Sequence, residues 1–263
     1  MNLTELKMVD VLKRLKDNYF VAGVKAEFEA EGTRTEELMR LKEICMRSGV
    51  SLTLKIGGCE AVRDMYDARA IGVDYLVAPM IETAFALQKY LKAINIAFPK
   101  DEQKKVEFLI NIETGIAYKN FDEMLKIPEI EVLDGVVMGR VDFTGSLGLD
   151  RKSVNSDKIF SITKDLLTKA KAKNLSCVVG GAIAVDSLPF LRNLSEQLID
   201  RYETRKICFL CPQALGKNAD EGISKAVEFE LLWLKNKQDY YKTISMEDNK
   251  RIVMLEERFQ KVT

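Results

Sequence analysis

The chain contains no histidine. That single absence removes the serine–histidine and cysteine–histidine triads, the HExxH zinc sites and histidine general bases. Chemistry must therefore rest on carboxylates, lysine, arginine, tyrosine, cysteine or a bound cofactor. If a metal is held, oxygen ligands select Mg²⁺ or Mn²⁺ over zinc. A charge excess is missing too: Lys+Arg and Asp+Glu both number 40, with no basic stripe, which argues against nucleic acid as a partner. The longest uncharged stretch, Asn174 to Val185, is too short to span a bilayer, so no membrane is expected. The first eighteen residues are charged throughout and lack the apolar core of an export signal. The cysteines number five, an odd count without framework spacing, which fits reduced thiols and a cytoplasmic location. No GxGxxG or GxxxxGK[ST] follows any apolar run, which disfavours an open nucleotide-binding sheet.

What is present is an alternation of short apolar runs with segments of helical period. This is the signature of βα units around a parallel sheet. The strands are expected at Phe20–Phe28, Ser51–Ile56, Tyr75–Met80, Val106–Ile112, Leu133–Gly139 and Ser176–Val179, with a last one or a pair within Arg201–Leu210. Their nearly continuous apolar character suits strands covered on both faces. A helix with a capping box is expected to open at Thr33 with Glu36. Another carries Ile159, Ile162, Leu166 and Ala170 on one stripe. The region from Gly222 reads as helical with Val227, Leu231 and Leu234 in register, and Ser245 with Asp248 suggests a second helix start. The fold expected is α/β: a (βα)8 TIM-type barrel with extra C-terminal helices. It forms one domain, with residues 1–19 an N-terminal helix, 20–221 the barrel and 222–263 the C-terminal helices.

In such barrels the site lies at the C-terminal ends of the strands. Polar groups stand there at Glu27 and Glu29, Lys55, Glu113, and Arg140 with Asp142. Glu113 and Asp142 end consecutive strands, and neighbouring parallel strands lie about 5 Å apart. Two such carboxylates would repel unless a cation sits between them, at ligand distances near 2.1 Å, about those of Mg²⁺. The competing reading pairs each acid with a local cation, Arg140 being the nearest rival for Asp142. The run Gly139-Arg140-Val141-Asp142 also resembles a backbone nest for an anion. Lys55, followed by Gly57 and Gly58, is placed to steady an enolate or carboxylate oxygen, or else is a solvated strand-end lysine. Glu29 is a candidate general base, sharing one strand face with Glu27 and Glu31. Cys208 and Cys211 match CxxC, but no second pair and no histidine can complete a metal site, so buried core thiols are expected.

Three stretches together resemble the HpcH/HpaI aldolase and citrate lyase beta-subunit family of the phosphoenolpyruvate/pyruvate barrel superfamily. They are Val77-Ala78-Pro79-Met80-Ile81-Glu82, Ile110-Asn111-Ile112-Glu113-Thr114 and Leu133-Asp134-Gly135-Val136-Val137-Met138-Gly139-Arg140-Val141-Asp142. The likeness runs from about Val21 to Leu210. It implies a modified TIM barrel that makes or breaks carbon–carbon bonds beside a pyruvate or acyl-thioester carbonyl. It implies Mg²⁺ (or Mn²⁺) held by Glu113 and Asp142, and a small 2-oxo acid whose carboxylate meets the backbone of Gly139, Arg140, Val141 and Asp142. It also implies contact of Lys55 with the keto or enolate oxygen, and a homo-oligomer, trimer or hexamer. Two departures stand out. Lysine replaces an arginine at Lys55 and cannot form the same bidentate fork. The catalytic histidine of the aldolase branch, just after the strand near Glu29, is missing, which leaves proton transfer to Glu29 or to water on the metal. Phosphoenolpyruvate or acyl-thioester chemistry on the same scaffold, or a barrel that binds without turnover, are the alternatives.

Overall fold

The structure, a computed structural model, describes residues 1–194 and 197–260. The elements run α1 (Leu3–Tyr19), β1 (Val21–Glu27), α2 (Thr35–Ser48), β2 (Ser51–Lys55), α3 (Val62–Ile71), β3 (Tyr75–Ala78), α4 (Ala84–Ala97) and the single turn α5 (Lys100–Gln103). They continue β4 (Glu107–Ile112), α6 (Gly115–Met124), β5 (Gly135–Gly139), α7 (Arg140–Ser146), α8 (Asp157–Lys171), β6 (Ser176–Gly180), α9 (Leu188–Asn193), β7 (Arg201–Glu203), β8 (Ile207–Leu210) and α10 (Ala219–Gln260). The strands close into a barrel in chain order, β1 to β8.

Seven strands are parallel; β8 is not. It runs antiparallel to both β7 and β1. Only Thr204, Arg205 and Lys206 join β7 to β8, and a connection that short closes a hairpin, whereas a parallel crossover needs a dozen residues or more. The apolar run expected within Arg201–Leu210 is thus two strands, and the last βα unit of a uniform (βα)8 barrel is replaced by a hairpin whose tip stands at the barrel mouth.

Strand alternation sorts the side chains. The outward positions pack under the helices, with Leu52, Leu54, Leu76, Ile110, Val136 and Val179 among a core of fully buried side chains. The inward positions form a separate apolar floor of Val77, Leu109, Val137 and Val178, with Tyr75 packed against it. Above the floor the inward positions turn polar, which places the site.

Two local expectations are corrected. α2 starts after Arg34 rather than Thr33, and Glu37 rather than Glu36 reaches back to cap it: the Arg34 amide donates to Glu37 at 3.1 Å, while the Arg34 side chain, which has no acceptor, caps nothing. No second helix starts at Ser245, because α10 is continuous for 42 residues; the Ser245–Asp248 pattern lacks any turn residue before it that would break the preceding helix. Residues 261–263 of the expected C-terminal helices lie outside the described residues. The face of α10 that docks on the barrel is Ile223, Ala226, Phe229 and Trp233, whereas Val227, Leu231 and Leu234 are exposed. Both stripes have helical spacing; Phe229 and Trp233 carry the larger apolar surface, so that face is the one buried.

Candidate active site

A cavity of about 400 Å³ opens at the C-terminal ends of the parallel strands. Glu113 anchors it. Its side chain is almost fully buried; Oε1 accepts the Met80 amide at 3.0 Å and Oε2 accepts Asn111 Nδ2 at 2.7 Å. Met80 reaches that position with φ 51°, left-handed backbone unusual for a long side chain. Gly139 is fitted to the same carboxylate: a Cβ there would sit 2.7 Å from Glu113 Oε2. Burial pushes the Glu113 carboxyl up. Lys55, Asn111 and the Met80 amide oppose this, and the nearby Asp142 carboxylate adds to it.

Asp142 lies in the first turn of α7, exposed to the mouth, and lines the same cavity. No hydrogen bond or ion pair ties it down among the described residues. Arg140, its expected rival partner, turns the other way. The Arg140 side chain is fully buried and donates to Gly181 O at 2.8 Å, Gly180 O at 3.2 Å and Asn155 Oδ1 at 2.7 Å, with its guanidinium 4.6 Å from the Phe190 ring. Burial pushes that guanidinium down to about 10, with Asp186 opposing, which still leaves it charged at neutral pH. The Arg140 side chain is therefore not the partner of Asp142. As first residue of α7 it projects behind the strand ends and braces the β6 loop. Gly139, Val141 and Asp142 do line the cavity.

Lys55 is buried, with Nζ 3.1 Å from Glu29 and 3.5 Å from Glu113. Burial alone would lower its pKa; Glu113, Glu29 and Glu27 outweigh burial and raise it, so the side chain is an ammonium. Glu29 is thereby held at the rim by Lys55. Glu27 turns inward to Lys25 at 3.2 Å, and Glu31 pairs with Lys206 and with Arg205 at 3.1 Å. Each of the three acids thus has its own lysine, and Arg205 lies between Glu31 and Glu27, 4.0 Å from the latter.

The donor set around Glu113 suits a hard cation. It comprises two carboxylates and Asn111 Oδ1, a buried oxygen with no hydrogen-bond partner. Oxygen-only ligation of this kind matches Mg²⁺ or Mn²⁺, which keep several positions for water and substrate. Among the described residues no three acidic or thiol side chains form a ready-made cage. Residues that the sequence pattern left unmarked complete the cavity wall: Lys25, Asn111, Gly180, Gly181, Glu203 and Arg205. The signal for Lys25 was its spacing of two from Glu27 in an otherwise apolar strand. For Glu203 there was none, because its placement depends on the β7–β8 hairpin.

The sequence profile of the HpcH/HpaI aldolase/citrate lyase family matches residues 53–200. The chain belongs to this family. Solved structures of HpcH/HpaI proteins share its fold at low identity. An HpcH/HpaI aldolase from Desulfitobacterium hafniense DCB-2 superposes with a TM-score of 0.60 at 13% identity, over 75% of this chain and 82% of that one. An HpcH/HpaI aldolase/citrate lyase family protein from Burkholderia cenocepacia J2315 gives 0.56 at 13%, over 74% and 92%. The citrate synthase SbnG gives 0.60 at 13%, over 88% and 90%. No curated protein matches the sequence. The HpcH/HpaI membership and the closed barrel agree with the resemblance read from the strand-end motifs. No described helix is long and apolar enough to cross a membrane.

Proposed function

We propose that this HpcH/HpaI chain is a divalent-metal-dependent carbon–carbon lyase of the aldolase type, acting on a pyruvate-like 2-oxo acid through its enolate. The observation that carries the reading is the pairing of buried Glu113 with the unpartnered carboxylate of Asp142 in one cavity, beside the orphaned oxygen of Asn111. Glu113, Asp142 and Asn111 would hold Mg²⁺ or Mn²⁺. Bound there, the ion supplies Lewis acidity toward the carboxylate and keto oxygens of the substrate.

The chain's own groups do the rest. Lys55, a buried ammonium between Glu29 and Glu113, is positioned to stabilise negative charge developing on the substrate oxygen. Gly139 and Gly181 keep side chains away from the backbone that faces the substrate carboxylate; a Cβ on Gly181 would stand 2.7 Å from the Val141 nitrogen. Glu29 is the rim carboxylate proposed to exchange protons with the methyl carbon of a pyruvate-like ligand. The test is exchange of pyruvate methyl protons with deuterated water, with and without Mg²⁺, in the wild type and in Glu113→Ala. Metal-stimulated exchange lost in the variant supports the reading, and equal exchange in both contradicts it.

A further inference from the structure

The barrel interior is chemically lopsided. On the β3–β6 side the inward residues are Val77, Leu109, Val137 and Val178, the branched apolar filling expected of a packed barrel. On the β7–β8–β1 side the inward residues include buried Glu203 and Glu27 and the largely covered Lys25, charges that hydrophobic filling often replaces at no loss of stability. Lys25 Nζ lies 2.7 Å from Glu203 and 3.2 Å from Glu27. An ammonium has three N–H donors; two face these carboxylates, and the third has no protein acceptor among the described residues.

Glycines connect this cluster to Glu113. Gly139 and Gly180 are register partners on β5 and β6. A Cβ on Gly139 would strike Glu113, and a Cβ on Gly180 would stand 3.0 Å from Glu203 Oε1. Glu113 therefore leans over one glycine from the β4 side, and Glu203 leans over the other from the β7 side. Glu113 and the Lys25–Glu203 pair thus stand over neighbouring strands, about one strand spacing or roughly 5 Å apart, on the wall of one cavity.

We infer that Glu203 is the general base for the second reactant, taking the hydroxyl proton in cleavage and returning it in condensation, with Lys25 as its positioning residue. The inference rests on the lyase reading above. In cleavage of a 4-hydroxy-2-oxo acid the hydroxyl proton passes to the Glu203 carboxylate. The O–H pair becomes the second bond of the departing carbonyl compound, and the carbon–carbon pair returns to the pyruvate-like fragment as its enolate. In condensation each pair moves back, and the new alkoxide takes its proton from Glu203. Lys25, 2.7 Å from Glu203, holds that carboxylate in place in both directions. This assigns the proton transfer that a chain without histidine must place elsewhere, and it separates the roles of two carboxylates: Glu29 serves the methyl carbon, Glu203 the hydroxyl.

The two half-reactions separate the tests. Pyruvate methyl-proton exchange and aldol addition of pyruvate to glyceraldehyde are measured with Mg²⁺ in the wild type, in Glu203→Gln and in Lys25→Arg. Expected is exchange within about twofold of wild type in Glu203→Gln, which also shows that the variant is folded, with addition reduced about 10²–10⁴-fold. Lys25→Arg is expected to keep exchange and to shift the pH profile of addition alone. Wild-type exchange with addition unaffected in Glu203→Gln overturns this inference and leaves the lyase reading standing, as does an equal loss of both reactions in both variants. A wild type that exchanges nothing overturns the lyase reading and this inference with it.

Discussion

At the scale of single residues, Arg140 and Asp142 show how neighbours in sequence separate in role. Arg140 lies two positions from Asp142, yet its side chain satisfies carbonyl oxygens behind the strand ends. Arg140→Met would leave Gly180 O, Gly181 O and Asn155 Oδ1 without that donor. Unsatisfied buried acceptors cost about 1–3 kcal/mol each, and relaxation shares the loss, so urea unfolding should show a drop of about 3 kcal/mol. A variant as stable as wild type would contradict the bracing role. Gly139→Ala tests the other side. Its Cβ would meet Glu113 Oε2 at 2.7 Å and Glu113 Cβ at 2.8 Å, so the carboxylate must move. The expected result is a folded protein whose metal-stimulated exchange falls at least tenfold; unchanged exchange would show that the position of Glu113 is not fixed by this contact. The sequence exposed Glu113 and Asp142 because each closes an apolar run. It hid the true direction of Arg140, since a side chain's course after a strand end depends on the next helix and not on spacing.

At the scale of elements, strands were legible wherever a continuous apolar run was followed by a polar end, and β1 to β6 fall within a residue or two of expectation. A pair of strands within Arg201–Leu210 was one of the alternatives, but its antiparallel turn was not legible, because three-residue and four-residue strands carry too few positions for a period. The root of α10 is held by a charged clip: Glu37 accepts from Tyr241 Oη at 2.6 Å and lies 2.9 Å from Lys237, besides taking the Arg34 amide. Burial would raise the Glu37 pKa, but Tyr241, Lys237 and the Arg34 amide outweigh it and hold the carboxyl below the usual glutamate value. A depressed carboxylate contributes stability that is present above its unfolded pKa and is lost as pH falls through the folded one. The protection of residues 236–242 against hydrogen exchange, taken relative to the intrinsic rate at each pH, should therefore fall as pH drops below the ordinary glutamate range. Glu37→Gln should show fast exchange already at neutral pH and no such step. A step unchanged in the variant would place the clip elsewhere.

At the scale of the molecule, α10 outruns the barrel. Every residue from 242 to 260 is exposed, and Ile244, Ile252, Val253 and Leu255 are about half accessible or more. Most helical stability in proteins comes from packing an apolar face, and the apolar side chains of this stretch are exposed. The apolar residues here, with Val227, Leu231 and Leu234 on the earlier turns, are the surface through which we propose that copies of this chain associate. Light scattering should give a mass that is a multiple of 29.8 kDa, and Leu231→Asp or Leu255→Asp should shift it toward a single chain. A wild-type mass of one chain would contradict this. The barrel, the family and the strand-end acids could be read from the sequence because they are carried by local runs. The lopsided interior could not, since Lys25, Glu203 and Glu113 meet only when the barrel closes.

The claim on which all of this depends is that one cation sits between Glu113 and Asp142. A crystal grown with Mn²⁺ and oxalate, read by anomalous scattering, tests it directly. The account predicts a single strong peak about 2.1 Å from an oxygen of each of these two carboxylates, with oxalate completing the coordination. A metal bound elsewhere, or Lys55 remaining paired with Glu113 while no peak appears beside Asp142, would contradict it.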